Sequence, residues 1–94
     1  MPYNEINGPG SYGALSVTST AAQVKVGGSN LSKRKCISIQ PLDGDIFYGF
    51  DSSVTISTGT KLFQGEKFFL ECGDTLDVYV VSAGTVDTRI AEYS

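Results

Sequence analysis

Histidine and tryptophan are absent from this chain of 94 residues, and methionine, cysteine and proline number only one, two and three. Without histidine there is no Ser-His-Asp or Cys-His machinery and no imidazole-ligated metal. Two cysteines are too few for the disulfide framework that holds many small secreted domains together. Cys36 and Cys72 are therefore expected as small buried thiols in strands, with a bond between them as the lesser alternative. Basic charge is also short, with seven Lys and Arg against ten Asp and Glu, for a net charge of −3. Duplex binding draws much of its affinity from neutralised phosphates, so nucleic acid is not an expected partner. No apolar run approaches the roughly 20 residues of a membrane-spanning helix. The opening Met-Pro-Tyr-Asn-Glu has neither the basic nor the apolar stretch of an export signal, so none is expected.

What the chain does contain is glycine, 11 residues of it, and short β-branched and aromatic runs. No window carries the i, i+3, i+4 apolar repeat of a helix. The runs predict eight strands: Ala14–Thr18, Gln23–Val26, Lys35–Gln40, Ile46–Phe50, Val54–Ser57, Lys67–Cys72, Leu76–Val81 and Val86–Glu92. Gly27-Gly28-Ser29-Asn30, Asp43-Gly44, Gly73-Asp74 and Ser82-Ala83-Gly84-Thr85 punctuate them as turns. The expected fold is all-β, an antiparallel β-sandwich of about eight short strands in a jelly-roll or Ig-like arrangement. Residues 14–94 form that domain. Residues 1–13 hold two of the three prolines and show no periodicity, so they read as a flexible, extended N-terminal arm, with a frayed terminus as the competing reading.

Side-chain alternation sorts each strand into faces. Ile37 and Ile39, then Ile46, Tyr48 and Phe50, then Phe68, Leu70 and Cys72, then Leu76, Val78 and Val80, and finally Val86 and Ile90 make a coherent core. Phe47, Phe69, Tyr79 and Val81 fall on the opposite faces, where a solvated sheet carries polar residues. They form a patch if their strands are neighbours, which marks them as a candidate oligomer interface. Loops or the arm covering them is the competing reading. A domain this small has a thin stability margin, which also favours self-association.

Few residues offer chemistry. Asp43-Gly44-Asp45 has two carboxylates for Ca²⁺ but reads better as a β-turn. Glu71, Asp74 and Asp77 lack the cleft that a carboxylate pair needs for glycoside hydrolysis. Lys33-Arg34-Lys35 is the only basic run, and it serves either as an acidic-partner contact or as an edge that discourages aggregation. No glycine-rich piece matches a phosphate loop, since no helix follows one. No catalytic residue, cofactor or metal is expected.

Residues 34 to 63 carry a more distinctive pattern. It runs Arg34-Lys35-x-Ile37-x-Ile39-Gln40, a turn, Ile46-Phe47-Tyr48-Gly49, Val54-Thr55 up to Gly59, and Leu62 before the Gln64-Gly65-Glu66 turn. With Asp77 to Val81 and Thr88 to Glu92 as closing strands, this resembles small β-sandwich structural proteins of tailed bacteriophages. The resemblance spans roughly residues 14 to 92. It implies a non-enzymatic virion accessory, self-associated as a dimer or trimer and assembled in the host bacterial cytoplasm. A capsid decoration (cement) protein touching the major capsid protein or another virion protein is the first choice, and a tail, neck or fibre component its variant. The N-terminal arm departs from the family pattern, so its Tyr3, Ile6 and Tyr12 are candidate capsid or partner contacts on their own account, beside the basic Lys33, Arg34 and Lys35. The alternative is a carbohydrate- or receptor-binding module, with Tyr12, Tyr48 and Phe50 as an aromatic platform beside Asp43 and Asp45.

Overall fold

The computed structural model describes residues 8–94, and every described strand is antiparallel to its neighbours. The strands are β1 (Gly10–Val17), β2 (Ala22–Gln23), β3 (Cys36–Pro41), β4 (Ile46–Gly49), β5 (Thr60–Leu62), β6 (Phe68–Glu71), β7 (Tyr79–Val81) and β8 (Val86–Tyr93). They form two four-stranded sheets. The first runs β1-β8-β3-β6 and the second β2-β7-β4-β5. No helix occurs among the described residues.

The register of the first sheet explains its two faces. Ser11, Glu92, Ile37 and Leu70 form one row across it, and Gly13, Ile90, Ile39 and Phe68 form the next. These rows face inward. Ile46, Tyr48 and Val80 face them from the second sheet, and Tyr48 stacks on Phe68 with ring centroids 5.0 Å apart. Val17, Val24, Ile37, Ile39, Ile46, Val78 and Val80 are fully buried between the sheets. Each such side chain contributes about 1.5–3 kcal/mol by leaving water. This is the arrangement of a β-sandwich, as the alternation in the sequence predicts.

The structure corrects four expectations. Val54–Ser57 is not a strand. Its β-branched residues close a turn instead: Gly59 N–H donates to Thr55 O at 2.8 Å, and Thr55 N–H donates to Thr58 Oγ1 at 3.1 Å. The fifth strand lies later, at Thr60–Leu62. Phe50 and Leu76, expected in the core, are exposed beyond the strand ends. Gly10 to Gly13, expected within the arm, are the first half of β1 and pair with Tyr93 to Ile90. The arm's other candidates, Tyr3 and Ile6, lie outside the described residues.

Val54 shows how the 50–59 loop is held. Gly49 shares a strand face with Phe47, pointing away from the core. A Cβ at Gly49 would sit 2.7 Å from Val54 Cγ2 and 2.9 Å from Val54 Cβ. The loop therefore lies on the outer face of β4, at a place only glycine leaves open. Gly49→Ala is expected to lose about 1–3 kcal/mol by overpacking. Adding Val54→Ala should restore part of that loss in urea denaturation. A purely additive double variant would show that the two residues do not touch.

Candidate functional site

The titratable clusters are committed to holding loops. Asp43 accepts the Asp87 N–H at 2.8 Å, and Asp45 accepts the Gln64 N–H at 2.8 Å while facing Lys61 at 3.5 Å. Asp77 accepts from the side-chain amides of both Gln23 and Asn30 at 2.9 Å. Asp74 accepts the Lys33 N–H at 2.9 Å, steadying a residue whose φ of 59° lies in the left-handed region. No group of three or more metal-ligating side chains occurs among the described residues.

Arg34 differs from its expected role. It is not on the surface but 3% exposed, inside the molecule. Its Nη1 donates to Glu92 Oε2 at 2.9 Å. Its Nε and Nη2 donate to Gly73 O at 3.2 and 2.9 Å, and Nη2 also donates to Leu76 O at 2.6 Å. Glu92, 1% exposed, additionally accepts the Val26 N–H on Oε1 and the Leu31 N–H on Oε2, both at 2.9 Å. A buried ion pair whose side-chain nitrogens and oxygens all have partners is the form in which desolvation is offset. This hub ties the 24–35 segment and the 73–76 turn to β8. The sequence carried one sign of it: Glu92 continues the inward alternation of Val86, Thr88 and Ile90. Its neighbours in the basic run, Lys33 and Lys35, stay nearer the surface.

Cys36 and Cys72 are both buried free thiols. Cys36 points to the outer face opposite Glu71, whereas Cys72 follows Glu71 and points inward. Burial pushes both thiols up, helped at Cys36 by Cys72 and Glu71 and opposed at Cys72 by the Arg34 guanidinium. Below the unfolded value near 9.0, both states hold their thiol protons. Above it the unfolded chain releases protons that the native chain retains, so stability falls as pH rises. Urea midpoints are expected to drop above pH 9, and less so in a Cys36→Ala, Cys72→Ala variant. An equal drop in that variant would assign the pH dependence to other groups.

The four residues of the expected oligomer patch are divided between the sheets. Phe47, Tyr79 and Val81 share the outer face of the second sheet, where Phe47 lies opposite Val81 and Tyr79 opposite Gly49. Much of this face is covered. Val81 is buried, Phe47 and Tyr79 are half-buried, and a Cβ on Gly59 would meet Phe47 Cβ at 2.9 Å. Lys61 lies over the rings of Phe47 and Phe63, at 6.0 and 5.0 Å. Phe63, 58% exposed, was not singled out by the sequence, although its parity with Lys61 places it there.

Phe69 stands on the outer face of the first sheet. One row of that face reads Tyr12, Ala91, Ser38, Phe69. Tyr12 and Phe69 are 85% and 57% exposed, and Tyr93 tilts against Phe69 at 6.2 Å. The small residues Ala91, Ser38 and Ala14 floor a shallow trough of about 330 Å³ between Tyr12 and Tyr93, with Arg89 and Lys67 at one end. Lys67 Nζ lies 5.3 Å from the Phe69 ring. Aromatic walls, a floor of small side chains and two cations suit non-covalent docking. The aromatic set of the alternative reading is not assembled here: Tyr12 is on this face, while Tyr48 is packed in the core against Phe68.

No protein-family model, curated protein or solved structure matches this chain.

Proposed function

We propose that this domain is a bacteriophage virion structural accessory, a decoration protein that binds the mature shell and stabilises it. The reading rests on the phage-like pattern of residues 34 to 63 and on one structural observation. The charged clusters are used internally, while aromatic side chains stand exposed on the first sheet, led by Tyr12 and Phe69. Such a surface binds by burying apolar area, at roughly 25 cal/mol per Å². Repeated over a lattice, weak contacts add through multivalency. A protein that binds only the assembled state stabilises it by mass action. The strand order favours the jelly-roll form of the sandwich over the Ig-like one, because β1-β8-β3-β6 facing β2-β7-β4-β5 winds as two Greek keys. Viral shell domains are among the users of that winding.

The test is antibody labelling of purified phage particles, viewed by electron microscopy. Uniform label over the head is the expected result. Label confined to the tail or its tip would replace decoration with a tail or receptor-binding role. Particles without label would overturn the virion reading.

A further inference from the structure

Among the described residues β1 is an uncovered sheet edge, and it differs from the other three. β2 has two residues, β5 has three with Lys61 at its centre, and β6 has four, ending in Glu71. Short or charged edges discourage pairing with other chains. β1 has eight residues, Gly-Ser-Tyr-Gly-Ala-Leu-Ser-Val, with no charge and no proline, in a chain of net charge −3.

The hydrogen-bond parity shows which groups are presented. Leu42 N–H donates to Asp87 O, so the odd-numbered residues of β8 face β3 and the even-numbered ones face β1. Their partners Ser11, Gly13, Leu15 and Val17 therefore point their backbone groups at β8. Gly10, Tyr12, Ala14 and Ser16 point theirs outward, off the edge of the sheet. An antiparallel partner strand must offer the same alternation and no like charge.

We propose that β1 pairs with β1 of a second copy of this chain about a two-fold axis beside Gly13, joining two first sheets into one eight-stranded sheet. This register sets Tyr12 opposite Ala14 of the second copy and Gly10 opposite Ser16, so all four outward residues of each strand are used. Shifting the axis by one residue toward Tyr12 or Ala14 leaves an outward residue unpaired at a strand end. The side chains agree with the register. Tyr12 has a small neighbour across the junction, and Arg89, which lies opposite Ala14 in β8, is brought beside the ring of the incoming Tyr12. No like charges meet along the seam. The two troughs become one continuous face. The inference is independent of the virion reading, since it concerns the free protein.

Sedimentation and amide hydrogen exchange on the purified chain test it. The wild type is expected at twice 10.0 kDa, with slow exchange at Tyr12, Ala14 and Ser16 as well as at the inward Gly13, Leu15 and Val17. Ala14→Pro removes an outward N–H that no bond among the described residues uses, and Ala14→Lys adds charge to the seam. Both are expected to lose the dimer and the protection at Tyr12 and Ser16 while keeping it at Gly13 and Leu15. If Ala14→Pro fails to fold, Ala14→Lys decides. A wild type that stays at 10.0 kDa overturns the proposal, as does a dimer that survives in the folded variants.

Discussion

Glu92→Ala is expected to be the most damaging single substitution, lowering stability by about 3–5 kcal/mol, the usual cost of removing one partner of a buried ion pair. A small domain has only about 5–15 kcal/mol in total. The variant leaves the Arg34 guanidinium buried beside the empty place, and the Val26 and Leu31 N–H groups lose their acceptor. Glu92→Gln should be nearly as harmful, because an amide NH₂ would face donors on every side. Arg34→Met combined with Glu92→Leu should not recover the wild-type value. Replacing an isolated buried pair with apolar residues is often harmless. Here it would also strand the carbonyls of Gly73 and Leu76, each unsatisfied group costing about 1–3 kcal/mol. Urea denaturation of the three variants checks the order. A Glu92→Ala midpoint within about 0.5 kcal/mol of wild type, the range of ordinary surface changes, would remove the hub from the account.

Phe68→Ala and Phe69→Ala should differ sharply although the residues are adjacent. Phe68 faces inward and stacks on Tyr48 from the other sheet. Losing its ring is expected to cost about 2–4 kcal/mol, toward the lower part of the range for core phenylalanines because the ring is half-buried. Phe69 points outward, and its removal should stay within about 0.5 kcal/mol. A one-residue slip of β6 would exchange the two side chains and reverse the outcome. The pair is therefore a direct measurement of strand register. Phe69→Ala should also weaken docking without unfolding the sandwich, which separates a binding defect from a stability defect.

The alternation of Ile37 with Ile39 and of Val86 with Ile90 made the β class and most of the core legible, because a half-buried sheet repeats every two residues. Val54-Thr55-Ile56 misled for a physical reason. β-branched residues favour strands, but the Thr55 and Thr58 hydroxyls here close a turn, and Gly49 and Gly59 make room for it. The division of Phe47 and Phe69 between sheets was not legible, since neighbouring strands in a sheet need not be neighbours in sequence. Arg34 was misplaced because a basic run normally marks a solvated segment. Only its three-dimensional partners, Glu92 and two carbonyls, show why one member of that run turns inward.

The place of β8 sets an order on how the protein comes into being. It lies between β1 and β3 and pairs along its length with both, yet it follows every other described strand. On a ribosome the partners within the second sheet emerge first, while β1 must wait for a strand not yet made. Glu92 arrives later still, so the 24–35 segment has no anchor until the far end of β8 has been made. Such long-range closure folds slowly. In that interval the uncharged β1 edge has no partner of its own, so nascent chains on one message are most open to pairing with each other just before β8 emerges.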